Sequence, residues 1–303
     1  MRIHKAGEDR RFREIKTNFT RFFMTWTLQG MWVSMCLLCV LTALSSYSGI
    51  IVNNIFYIGI DRPTKLNGFT PEMFMQIAEA FTEYENNHDA RCAIVFSHGP
   101  HFTAGIDLPK IAPLMKSGNR DYLHPKNLID PLGLRGHIRT KPVVCAVRGI
   151  TFTYGVELSL ACDVTIAADN CRFSQLEVLR GIMPTGGATI RFVQRAGWGN
   201  AMKYLLSGLE FNSEEALKMN IVQEVVKPDE VFSRAKDIAT SIAAAAPLAV
   251  KETIKSAKIA LEKGREAAVS EFDPVQEMLA SSNDAKEGVE AFKNKKPPSF
   301  KGN

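Results

Sequence analysis

Residues 142–177 read PVVCAVRGITFTYGVELSLACDVTIAADNCRFSQLE. A β-branched run (142–147), a glycine turn, a short apolar stretch (156–163), a second β-branched run (VTIAA) and a third (CRFSQ) follow one another almost without polar spacers. Runs this short and this apolar are strands covered on both faces, joined through a buried helix. That combination argues for α/β layers with parallel pairing. Two glutamates, Glu157 and Glu177, stand inside this apolar context twenty residues apart. A carboxylate in such a place needs a partner or a task.

The same alternation extends on both sides. IIVNNIFYIGI (50–60) supplies two short strands around a turn at Asn53-Asn54. Thr70-Pro71 has the chemistry of a helix start, and the predicted helix 71–86 places Met73, Ile77, Phe81 and Tyr84 on one face. CAIVFS (92–97) reads as a strand, followed by a loop and an irregular polar stretch to about Arg139. Two helices are expected around Trp198. Asn212 with Glu215 forms a capping-box start before EEALKM, IVQEVV reads as a strand, and the last ~60 residues are helical.

Composition excludes several classes. With 46% hydrophobic and 23% charged residues, the chain of 303 residues is a globular protein with a sizeable core. A net charge of +5 without a basic stripe interleaved with aromatics gives no nucleic-acid partner. The six cysteines lack disulfide or metal spacing, which predicts a reducing compartment and no metal site; Cys36 and Cys39 form a C-x-x-C inside an apolar run with no strand before it. No phosphate loop, dinucleotide fingerprint, zinc-protease helix or serine-hydrolase elbow is present. His98 and His101 flank Gly99-Pro100 in a loop and read as ordinary polar loop residues.

The N-terminus differs from the rest. No charged residue occurs from Phe22 to Ile60, and residues 22–44, behind Arg10, Arg11, Arg13, Lys16 and Arg21, are long enough at ~20 residues to span a bilayer. The readings open at this point are a signal-anchor, a cleaved targeting segment and an extraneous extension. The expected organisation is an N-terminal extension (1–47), an α/β core (48–245) and a C-terminal helical region (246–303).

Five segments in order, IDRPTKLNGF, HFTAGIDL, KPVVCAVRGITFTYGVELSLACDVTIAAD, FSQLEVLRGIMPTGGATIR and DAKEGVEAFKNKKPPSFKG, resemble the motifs of the crotonase superfamily, the enoyl-CoA hydratase and isomerase family, from about Ser48 to Gly302. The resemblance implies an α/β spiral of ββα turns with a helical C-terminal region, a trimer or hexamer, and an acyl-CoA thioester as substrate, with no cofactor beyond the CoA that the substrate carries. It implies hydration of a 2-enoyl-CoA through an enolate, with Glu157 and Glu177 as the acid–base pair and the backbone N–H groups of Ala104 and Tyr154 as oxyanion donors. Lys65, Leu66, Gly105, Asp107, Leu108, Gly155, Phe292 and Lys295 match positions that hold substrate or CoA in the family. Asp107 is expected to order the loop after the donor, Asp130 to reach the acyl pocket, and Asp163 to be structural.

Thr153-Tyr154-Gly155 stands where the family pattern has three glycines, so the Tyr154 side chain needs space that glycine leaves empty, and Leu176 replaces the usual proline. The structural alternatives for the glutamates are a Glu177–Arg180 ion pair and a helix cap by Glu157. The alternative activities are an isomerase or another crotonase-type acyl-CoA enzyme, and, outside enzymes, a membrane-tethered binding protein. The location expected is the cytoplasm or another CoA-containing compartment, with membrane association through residues 22–44 if that segment is an anchor.

Overall fold

The computed structural model describes residues 47–118, 120–123 and 125–303. The hydrophobic segment 22–44 and the pair Cys36 and Cys39 lie outside them. Among the described residues no helix is long and apolar enough to cross a membrane.

The chain begins with the antiparallel strands β1 (Tyr47–Val52) and β2 (Ile55–Ile60). Asn53 and Asn54, both at positive φ (53° and 63°), make the tight turn that their side chains tolerate. Helix α1 (Pro71–Asn86) starts where the sequence predicts: Thr70 accepts from the Met73 N–H at 3.4 Å, Pro71 occupies the first turn, and Met73, Ile77, Phe81 and Tyr84 are all buried. Strand β3 (Cys92–Ser97) follows, buried along its whole length. Helix α2 (Leu108–Ser117) comes next, inside the stretch read from sequence as irregular. Its two prolines obscure it: Pro109 lies in the first turn, where no N–H is needed, whereas Pro113 sits inside the helix and reads as a breaker.

Strands β4 (Val143–Val147) and β5 (Ile150–Phe152) lead into helix α3 (Tyr154–Ala161), which begins two residues earlier than its apolar pattern indicates. Strands β6 (Val164–Ala168) and β7 (Arg172–Ser174) precede helices α4 (Ala188–Ala196) and α5 (Trp198–Leu205). After β8 (Phe211–Asn212), helix α6 (Ser213–Lys218) carries the capping box: Asn212 accepts from the Glu215 N–H at 2.9 Å while the Glu215 carboxylate accepts from the Asn212 N–H at 3.2 Å. Strand β9 is confined to Glu224–Val226. The remainder is helical: α7 (Val231–Ala243), α8 (Pro247–Lys263), α9 (Arg265–Val269), α10 (Phe272–Ser281) and α11 (Asn283–Lys293).

Two sheets result. One has the order β1-β2-β3-β4-β6-β9, parallel from β2 onward; the other is β5-β7-β8. Successive turns of the chain add one strand to each, β4 then β5, β6 then β7, which is the stacked ββα arrangement. Single parallel bridges, Phe69 with Ile106 and Thr103 with Thr151, carry the second layer back past β5. The segment 103–107 is therefore held between residues 66–69 and the turn that opens α3. Asp163 is structural, as expected. It pairs with the buried Arg139 at 2.8 Å and accepts the Val143 N–H at 2.7 Å, pinning the start of β4.

Candidate active site

Glu157 lies one turn into α3, a helix apolar on all sides and accordingly buried. Its side chain is 5% exposed. Oε1 accepts from the Gly186 N–H at 2.6 Å and, more weakly, from Ala188 N–H at 3.4 Å. Ala188 is the first residue of α4, so the helix-cap alternative is present and serves to fix the carboxylate. Oε2 makes no hydrogen bond among the described residues. Gly186 is required here, because a Cβ on it would overlap the Glu157 carboxylate.

Glu177 opens a 3-10 turn, Glu177–Arg180, and is half-buried. Arg180 is exposed and donates to the Leu179 carbonyl at 3.1 Å; among the described residues no ion pair joins it to Glu177. Burial raises both carboxyls from their ordinary 4.5, Glu157 to about 8 and Glu177 to about 7, and the Glu177 charge is the second cause for Glu157. Carboxyls raised this far can each hold a proton near neutrality, which suits one to donate and the other to accept.

The backbone donors are placed differently from expectation on one side. Tyr154 is the first residue of α3, where N–H groups have no intrahelical acceptor and the helix dipole favours negative charge. The Ala104 N–H is instead occupied, donating to the Leu66 carbonyl at 2.9 Å. Two residues on, the bridge to Phe69 uses the Gly105 carbonyl and the Asp107 N–H, both at 2.8 Å. In that pattern the Ile106 N–H turns to the opposite edge, and it has no acceptor among the described residues. Nothing in one-dimensional spacing separates Ala104 from Ile106; strand alternation after the bend at Gly105 (φ 98°) does.

The loop around these donors is tightly built. Asp107 orders it, as expected, through an ion pair with Arg62 at 2.8 Å, and Arg62 also donates to the Gly68 carbonyl at 2.7 Å. Asn67 is fully buried; its Oδ1 accepts from the Arg62 N–H and its amide donates to the His98 and His101 carbonyls. A Cβ at Gly105 would collide with the Thr153 hydroxyl, and one at Gly155 with the Thr103 side chain. Lys65 and Leu66 are exposed on the adjoining turn, and Leu108 is exposed at the start of α2. Phe292, 85% exposed, and Lys295 lie at the end of α11, and no hydrogen bond or ion pair links them to the loops around Glu157.

The Tyr154 ring goes into an aromatic cluster, with centroids 4.5 Å from Phe69 and 4.8 Å from Phe74; Tyr122 meets Phe74 at 5.6 Å. Desolvation holds its phenol well above the usual tyrosine range. Asp130 lines a cavity with Leu128, Arg135 and His137, but its carboxylate is engaged by its own loop. It accepts the N–H groups of Leu132, Leu134 and Arg135 at 2.8–2.9 Å and shapes its own loop. Gln175, which the motif reading passed over, is 1% exposed and stands beside Glu177. A buried amide two residues before a catalytic candidate is the signal that marks it.

Fold and site together define a crotonase-type spiral that carries one buried and one half-buried glutamate in apolar surroundings. The family model for enoyl-CoA hydratase/isomerase matches residues 51–303, and the chain belongs to that family. It is similar to the crystal structure of a probable enoyl-CoA hydratase/isomerase from Mycobacterium abscessus (39% identity, TM-score 0.80, covering 85% of this chain and 99% of that one). Among curated relatives, it is 30% identical over 252 residues to (E)-benzylidenesuccinyl-CoA hydratase of Thauera aromatica, covering 82% of this chain and 96% of the relative. It is also 30% identical over 243 residues to an enoyl-CoA hydratase of Mycobacterium tuberculosis, covering 80% and 91%.

Proposed function

We propose that the protein adds water reversibly to a 2-enoyl-CoA thioester, with Glu157 and Glu177 flanking the water and the thioester oxygen held by the N–H groups of Tyr154 and Ile106. The observation that carries this reading is the pair of carboxyls in apolar surroundings, one buried and one half-buried, whose proton affinities are both raised toward neutrality. Attack at the β carbon moves negative charge onto the thioester oxygen, where two preorganised backbone donors lower the barrier. The ionised carboxylate takes a proton from water, and the protonated one delivers a proton to the α carbon. Ile106 replaces Ala104 in this scheme because the Ala104 N–H is already bonded to Leu66.

Lys65, Leu66, Leu108, Gly105, Gly155 and Asp107 lie on the segments that carry or adjoin these donors and are assigned to substrate and CoA contact. Phe292 and Lys295 act on CoA across a subunit boundary in this scheme. Helices α8 and α10 bury no residue of their own, and Leu261, Val269, Phe272, Met278, Val289 and Phe292 are exposed. Apolar faces of this kind mark an interface, which supports a trimer or hexamer. The working location is a CoA-containing compartment, where the buried thiols stay reduced; burial pushes Cys92 and Cys171 up to about 12.

The test is a screen of the purified full chain with short, medium and aromatic 2-enoyl-CoAs, following loss of the conjugated thioester absorbance, with 3-enoyl-CoAs as the isomerase arm. Hydration of at least one 2-enoyl-CoA is expected. Turnover of 3-enoyl-CoAs alone would replace the reading by an isomerase, and no turnover of either would refute it.

A further inference from the structure

Thr153 and Tyr154 share one planar peptide group: its N–H is the donor assigned above, and its C=O points the other way. Thr153 holds φ 49° and ψ −113°, a conformation costly for a β-branched residue. Such a conformation persists only where its surroundings over-determine it. Three hydrogen bonds do so. The Thr153 N–H donates to the Ser174 carbonyl at 2.8 Å, and the Thr153 carbonyl accepts from the Glu157 N–H at 3.1 Å and, with the Gln175 amide assigned the orientation in which its nitrogen faces the acceptors, from that nitrogen at 3.2 Å.

The Gln175 amide has two N–H groups and two partners. One is the Thr153 carbonyl; the other is the Glu177 carboxylate, whose oxygens lie 3.1 and 3.3 Å away. With the amide turned over, its oxygen would face three acceptor oxygens, so the network determines the orientation. The side chain is buried, and water does not substitute for these bonds at no cost.

We propose that Gln175 is a positioning residue that ties the oxyanion-donor peptide Thr153–Tyr154 to the Glu177 carboxylate, so that donor and acid–base group are held in one geometry. This rests on the hydratase reading above. Donation to the Thr153 carbonyl polarises the same peptide and strengthens its N–H as a donor, an effect useful only when the thioester oxygen gains charge. Donation to Glu177 favours its ionised form and opposes the rise that burial imposes. One amide thus acts on both halves of the reaction without touching substrate.

The experiment compares the full-length wild type with Gln175→Met, which fills similar volume without donors, and Gln175→Asn, which keeps the amide one methylene short. For Gln175→Met, kcat on the best enoyl-CoA is expected to fall about 10-fold or more with KM within about 2-fold, the signature of a lost transition-state interaction. The acid limb of its pH–kcat profile is expected to move to higher pH, and binding of acetoacetyl-CoA as its enolate to weaken. Gln175→Asn should fall between and carries the same readouts if Gln175→Met does not fold. Unchanged kcat and pH profile in the variants would overturn the proposal, as would parallel losses in kcat and affinity with the acid limb unmoved. A wild type inactive on every enoyl-CoA would remove the hydratase reading and this inference with it, whereas an active wild type matched by Gln175→Met would remove this inference alone.

Discussion

Carboxylates that reach in from the surface or lie wholly inside occur in two kinds of setting in this molecule. Asp130 accepts three loop N–H groups, Asp284 accepts those of Lys301 and Gly302 at 2.7 and 2.8 Å, and Asp163 is paired with Arg139. Each has its charge answered and folds its own segment. Among the described residues, only one oxygen of Glu157 accepts a hydrogen bond, and no ion pair joins Glu177 to its neighbour Arg180. A carboxylate with its acceptor sites filled is a structural part. One in an apolar place without an ion pair is raised by desolvation, keeps its proton near neutral pH and can trade it.

The strongest way to break this contrast is to remove the charge on each side of it. Glu157→Gln and Glu177→Gln are each expected to lower hydration by at least ~100-fold while leaving folding and CoA affinity intact, measured by enoyl-CoA absorbance and by calorimetry. Either variant retaining near-wild-type turnover would show that the pair is not the acid–base apparatus. Asp163→Ala should do the converse: it removes the anionic partner of the buried Arg139 and costs on the order of 1–3 kcal/mol in urea unfolding, with little change in the kcat of the folded fraction.

A pH comparison sharpens the same point. The two glutamates bind protons more tightly folded than unfolded, so their contribution is full below about pH 4.5 and is lost as pH rises through about 7 and 8. Glu157→Gln, which cannot ionise, should therefore be more resistant than wild type to urea at pH 8, on the order of 1–2 kcal/mol. The advantage should vanish near pH 4.5. An advantage that instead grew on acidification would reverse the assignment of burial as the dominant cause. The smallest effect is expected far from the site, where Asn212→Ala should cost up to about 1 kcal/mol of stability and leave turnover unchanged.

Much of this could be read in one dimension, because periodicity and caps are local. Thr70-Pro71 starts α1, the Asn53-Asn54 turn joins β1 and β2, the Asn212 and Glu215 box starts α6, and the two glutamates stand out as charges in apolar runs. Helix α2 was hidden because Pro113 is a local breaker that packing tolerates. Which N–H near Gly105 remains available was not local at all. It depends on the Leu66 carbonyl and the Phe69 bridge, some 36 residues away in the chain, taking up the neighbours. The links among Thr153, Gln175 and Glu177, and the capture of the Glu157 carboxylate by Gly186 and Ala188, are likewise invisible to spacing. Sequence order dictates which groups exist and which elements carry them. Only the stacked layers decide which donors and acceptors find partners and which are left over for substrate, because a hydrogen bond is settled by position to within a few tenths of an ångström.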